Sequence, residues 1–118
     1  MIVNNAIDFV SLKPARYRML KSIHFFRSVN ENGYSLFDAE IIVTKGTKEH
    51  TDNIVLGCIG VFGLELGDIG SAFGLHVEIV DVSERQMEGA SFLVKDVEGD
   101  AFTFFCRKFS AKLVQTER

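Results

Sequence analysis

The side chains of this chain that could carry chemistry are two cysteines, three histidines and a crowd of carboxylates, and their spacing decides which chemistry is open to them. Cys58 or Cys106 beside His24 or His76 would make a thiolate nucleophile, since such partners meet in space and not in sequence. Both cysteines, however, stand among apolar residues of strand character. Loss of water there raises a thiol pKa, and a free cysteine behaves as a small hydrophobe. Buried thiols are therefore predicted. A zinc site needs closely spaced ligands, whereas His24, His50 and His76 are far apart along the chain, so no metal is expected.

Gly57, Gly60, Gly63, Gly67, Gly70 and Gly74 invite a phosphate-loop reading, but their spacing fails it. A dinucleotide fingerprint needs G-x-G-x-x-G opening a helix, and a P-loop needs a closing Gly-Lys-Ser/Thr, because backbone amides must converge on the phosphates. No lysine lies between Lys48 and Lys95, and acids surround these glycines. Strand bends and close backbone approaches are predicted instead, with no cofactor. No G-x-S-x-G motif is present.

The carboxylates are the clearest signal. Glu65, Asp68, Glu78, Asp81, Glu84, Glu88, Asp96, Glu98 and Asp100 are nine acids opposed by Arg85 and Lys95 alone, a local net charge of −7. The segment before Glu65 carries a net +1, and Arg107, Lys108, Lys112 and Arg118 follow the acidic run. Such a field attracts basic partners and repels nucleic acid, whose binding depends on phosphate neutralisation. Asp96, Glu98 and Asp100 superficially resemble part of a calcium loop, but the glycine follows the second acid and no closing glutamate comes at the required distance. Solvated charges protecting exposed edges, or part of an interface for a basic protein, are the two readings left. Phe73, Phe92 and Phe105 lie close by in sequence and could anchor an interface that the charges steer.

Strands must position these residues. A chain of 118 residues fits a single domain, 1–118, with eleven phenylalanines to fill its core. Ser11 and Pro14, with Leu12, Ala15, Met19, Leu20 and Ile23 at helical spacing, predict a short N-terminal helix over residues 14–21, while Ile23, Phe25 and Phe26 favour a strand and predict extended chain after it. Residues 34–44 read as a strand burying Phe37, Ala39, Ile41 and Val43, and residues 45–52 as a polar loop. Residues 54–66 place Ile54, Leu56, Cys58, Phe62, Leu64 and Leu66 on one face. Residues 75–82 turn Leu75, Val77 and Ile79 inward, and residues 83–89 form an exposed loop whose one core candidate is Met87. Residues 91–97 and 101–108 form a hairpin in which Gly99 supplies the positive φ of the turn, with a bulge near Lys108. The predicted architecture is mainly β: about six mostly antiparallel strands in a curled sheet or small sandwich, with one short N-terminal helix.

Several of these stretches resemble a bacterial family. Ser35-Leu36-Phe37-Asp38-Ala39-Glu40-Ile41, Val61-Phe62-Gly63-Leu64-Glu65-Leu66, Phe92-Leu93-Val94-Lys95-Asp96 and Phe102-Thr103-Phe104-Phe105-Cys106 are similar in order and spacing to the polymorphic-toxin immunity family numbered fifty, over residues 34–113. The resemblance implies a small cytosolic protein that binds a secreted toxin domain and blocks it, and it brings no catalytic residues.

The leading expectation is a non-enzymatic protein-binding module that neutralises a basic partner such as a cognate toxin domain. Glu78, Asp81, Glu84, Asp96, Glu98 and Asp100 would meet that partner. Residues 1–10 lack the features of a signal peptide and no apolar run approaches the roughly twenty residues of a membrane span, so a cytoplasmic location and no membrane partner are expected. The alternative is an apolar-ligand or structural domain, with a pocket between sheet and N-terminal segment lined by Phe25, Phe26, Phe62 and Phe104.

Overall fold

Alternation of apolar and polar residues builds most of this molecule. A computed structural model describes residues 2–29, 31–33, 35–45, 50–71, 74–85 and 88–117, so Phe73 and Met87 lie outside the described residues. Nine strands run among them: β1 (Ile2–Val3), β2 (Met19–Val29), β3 (Ser35–Thr44), β4 (His50–Ile59), β5 (Phe62–Leu66), β6 (Val77–Asp81), β7 (Phe92–Asp96), β8 (Phe102–Cys106) and β9 (Lys108–Glu117). They form a five-stranded sheet in the order β1-β9-β4-β3-β2 and a four-stranded sheet in the order β5-β8-β7-β6, antiparallel throughout. The mainly antiparallel β domain forms as expected. The strands exceed six because the two-residue β1 gives no sequence signal and two long runs are each cut in two at a corner.

That corner joins the sheets. β4 and β5 are one run of chain broken at Gly60, and β8 and β9 are another broken at Arg107. The two runs stay paired across the break, β4 with β9 and β5 with β8, and the Arg107 N–H donates to the Ile59 carbonyl at 2.9 Å. Gly60 makes the turn at φ +72°, a conformation that strains any residue with a Cβ, and the Arg107 side chain occupies the space a Cβ would need. Strands that switch sheets at a bend are how orthogonally packed sheets make corners. The turn also resets the apolar phase. Val61 is buried while Phe62 faces out, which corrects the expectation that Phe62 continues the inward face of Ile54, Leu56 and Cys58; Leu66, opposite the buried Phe102, keeps the inward side but is half exposed on the edge strand.

The core lies between the sheets. Ala39, Ile41, Val43, Ile54, Leu56, Phe109 and Ala111 from one meet Val77, Ile79, Val94, Phe102 and Phe104 from the other. Phe25 packs edge-on to Phe104 at 6.2 Å and Phe92 edge-on to Phe109 at 4.8 Å, so aromatic pairs bridge the two layers. Each fully buried ring of this kind contributes roughly 1.5–3 kcal/mol.

Among the described residues the one α-helix, α1 (Ala6–Ser11), precedes the predicted position. The Asn5 side chain accepts from the Asp8 N–H at 2.8 Å to cap it, and Phe9 turns inward against Phe109. Residues 14–21 are not helical as a whole: Pro14–Arg16 form a single 3-10 turn and β2 begins at Met19. The helical spacing there arises because β2 carries a register shift between Leu20 and Ser22, which breaks its alternation.

Candidate functional site

The acidic hairpin is organised by a carboxylate it hides. Asp96 ends β7 in phase with Val94, so its side chain points inward, and it is 2% exposed. One oxygen accepts from the N–H groups of His76 at 2.9 Å and Glu98 at 3.0 Å; the other accepts from Gly99 at 3.2 Å and Ala101 at 3.1 Å. Burial alone would push this carboxyl up, but the four amides outweigh it and hold the group below the ordinary carboxylate value. Asp96 therefore corrects the expectation of an outward charge: it ties the turn to the strand entry at His76. In that turn the left-handed residue is Asp100, at φ +52°, and not Gly99. The turn is also clamped to β5, because the Gly67 N–H donates to the Ala101 carbonyl at 2.9 Å.

The other eight acids of the stretch are exposed. Glu98 and Asp100 sit at the hairpin end of the four-stranded sheet, beside a depression of about 430 Å³ that Glu65, Lys95, Val97 and Phe102 help to line. Asp81 and Glu84 stand at the opposite end of β6, some four residues or about 14 Å of strand from the hairpin end. There the Asp81 carboxylate accepts from the Ser83 hydroxyl at 2.6 Å and the Ser83 N–H at 2.9 Å, bonds that lower its pKa and start a 3-10 turn over Ser83–Arg85. The six acids predicted to meet a partner are thus not one cluster.

Between the two ends, strand register draws two rows across the outer face. One row runs Glu78, Lys95, Thr103, Glu65, each residue directly opposite the next. The neighbouring row runs Val80, Leu93, Phe105, Phe62 and is apolar throughout. Directly opposed residues of antiparallel strands share a face, so this apolar row lies on the side away from the core. Phe62 is 38% exposed and stacks on Phe105 at 5.5 Å. An apolar centre with a charged rim is the anatomy of a protein-docking surface.

Comparison with known families bears on the chain as a whole. The sequence pattern of the family described as Immunity protein PIM8 matches residues 1–112. The chain belongs to that family. The immunity-protein character implied by the resemblance over residues 34–113 therefore holds, and the PIM8 match also takes in α1 and β2. No curated protein and no solved structure matches the chain. Membership of the PIM8 family carries an immunity-type protein-binding role.

The PIM8 fold leaves the remaining predicted features in other places. Cys58 and Cys106 are free and buried, as predicted. Hydrogen bonding to Cys106, reinforced by burial, pushes the Cys58 thiol well above its ordinary value. The four phenylalanines of the alternative pocket do not line one cavity. Phe104 is in the core against Phe25, Phe26 lies on the outer face of the five-stranded sheet and Phe62 on that of the other. A groove of about 520 Å³ does lie between sheet and N-terminal segment, lined instead by Phe9, Val10, Pro14, Val77 and Ile79 among others. Phe92, one of the aromatic neighbours expected at the surface, turns inward, whereas Phe105 faces out. The row that sequence reasoning missed was partly readable, since Leu93 and Phe105 occupy the alternate positions of β7 and β8; Phe62 was hidden by the phase change at Gly60.

Proposed function

We propose that this immunity-family chain acts in the cytoplasm as a non-enzymatic module that neutralises a cognate toxin by covering a basic surface of it with the outer face of the four-stranded sheet. The observation that carries the reading is the apolar row Val80, Leu93, Phe105, Phe62, left on the outside of a β sheet and bordered by Glu65 and Glu78. A lone acidic face is adequately explained by solvation; an apolar stripe inside one is not, because exposed apolar area that serves no contact invites aggregation. Phe62 and Phe105 would anchor the complex, while Glu65, Glu78, Glu98 and Asp100 steer and orient it. Asp81 and Glu84 lie toward the far end, and Asp96 supports the hairpin from beneath. Basic partner character and exclusion of nucleic acid follow from the same field.

The test is affinity capture from the source cells, with wild type and the Phe62→Ala/Glu65→Lys/Glu78→Lys variant immobilised in parallel. Wild type is expected to retain a basic polypeptide that the variant releases. Equal capture by both proteins would place the docking surface elsewhere.

A second reading attaches to the groove beside α1, whose lining by Phe9, Val10, Pro14, Val77 and Ile79 suits a small apolar molecule. Displacement of a fluorescent apolar dye from wild type, and not from a Val10→Lys variant, would support it.

A further inference from the structure

The opposite side of the molecule carries a second unusual face. β4 is the central strand of the five-stranded sheet, and Gly57 lies inside it, two residues before its end, with no positive φ. Glycine inside a strand sacrifices stability, and it normally marks a bend or the close approach of something else. No bend occurs at Gly57, where pairing to β3 and β9 continues without a shift. Among the described residues a Cβ built there would meet only Ser110, with its hydroxyl at 3.6 Å, so none of them demands the glycine. Gly57 forms part of the floor of a hollow of about 370 Å³ on the outer face. Around that hollow stand Phe26, 39% exposed, Ile59, 45% exposed, and Ile2, 67% exposed.

The charges on this face are divided by β4. On the β3 side, Glu40 lies directly opposite Gly57, and on the β9 side Ser110 does, flanked two residues away in either direction by Lys108 and Lys112. Glu40, Lys108 and Lys112 are exposed, and Asp38, in phase with Glu40 and lining the hollow, is a buried second acid on the β3 side.

We propose that this face is where two copies of the chain meet, sheet against sheet, about a two-fold axis running along β4. Such an axis carries the acidic half of one copy onto the basic half of the other, so each Glu40 falls between Lys108 and Lys112 of its partner. A two-fold axis across the strands at Gly57 would instead set Glu40 against Glu40. Self-complementarity under one rotation is what a closed dimer requires, and the charge pattern selects that rotation. On the axis, Ile59 meets its own copy and the paired hollows at Gly57 let the central strands come close. The four-stranded sheet is left uncovered, so the dimer presents two copies of the face assigned to the toxin.

Charge exchange tests this directly. Sedimentation equilibrium of the wild-type chain is expected to give the dimer mass. Glu40→Lys alone, and Lys108→Glu/Lys112→Glu alone, should each weaken the dimer by tenfold or more by juxtaposing like charges at an exposed interface. An equimolar mixture of those two variants should restore the dimer mass, since each supplies the sign the other lost. Gly57→Val, which fills the hollow without straining the strand, should also give monomers, with circular dichroism showing the fold intact. A monomeric wild type at all concentrations overturns the proposal, and so does a dimer that none of these changes weakens.

Discussion

At the scale of single residues, Asp96 shows how a charge can be indispensable without being displayed. Its two oxygens serve two amides each, and asparagine can offer only one oxygen, so Asp96→Asn sets an NH2 group against two N–H donors whichever way the amide is turned. Unsatisfied buried donors cost about 1–3 kcal/mol each, and the exposure of Glu98 and Gly99 lets water relieve part of the loss. We expect Asp96→Asn to lower stability by about 2–4 kcal/mol at neutral pH, read from urea unfolding. The pH dependence has a definite sign. The folded-state pKa lies below the ordinary value, so the contribution of Asp96 is complete above the unfolded pKa of about 3.9 and is lost as pH falls through the lower folded value. The gap between wild type and Asp96→Asn should therefore close on acidification below about pH 4. A gap of constant size from neutral pH to pH 3 would mean that something other than the carboxylate charge is at stake.

At the scale of elements, the hairpin depends on how closely β5 approaches it. A Cβ at Gly67 would collide with the carbonyl oxygen of Asp100, which belongs to the backbone and cannot swing aside. Gly67→Ala is expected to cost about 1–3 kcal/mol and to loosen the amides of residues 98–101, measurable by native-state hydrogen exchange. Unchanged exchange there would show that the turn holds its shape without β5. Period-two patterning was a good guide to these elements wherever the chain stays in register: Ala39, Ile41 and Val43, Leu75, Val77 and Ile79, and Phe102, Phe104 and Cys106 all turn inward as their spacing requires. It failed at Gly60, where a positive φ reverses the phase for Phe62. It failed again at β2, whose register shift makes Met19, Leu20 and Ile23 resemble a helix. α1 was invisible for a different reason, since Ile7 and Val10 are exposed and only Phe9 among its residues is fully buried, leaving no apolar stripe to read. The fate of Asp96 was legible after all, because it shares the phase of Val94; acidic character outweighed phase in the reading.

At the scale of the whole molecule, a steering field and an anchoring row make separable predictions. In the proposed complex, charges at the hairpin and on the Glu78 row would act before contact, over about 8 Å at physiological ionic strength, and so set how often a basic partner arrives in a productive orientation. Phe62 and Phe105 would act only once water is expelled, and so would set how long it stays. For the captured partner, the triple variant Glu78→Lys/Glu98→Lys/Asp100→Lys is expected to reduce the association rate about tenfold or more and to flatten its dependence on salt, with the dissociation rate little changed. Phe62→Ala should do the reverse, raising the dissociation rate roughly tenfold at an unaltered salt slope. Both readings come from surface plasmon resonance across a series of sodium chloride concentrations. If charge reversal left the association rate and its salt slope unchanged, the acidic hairpin would be a solvated surface alone, and the family's binding role would have to be sought on another face of the chain.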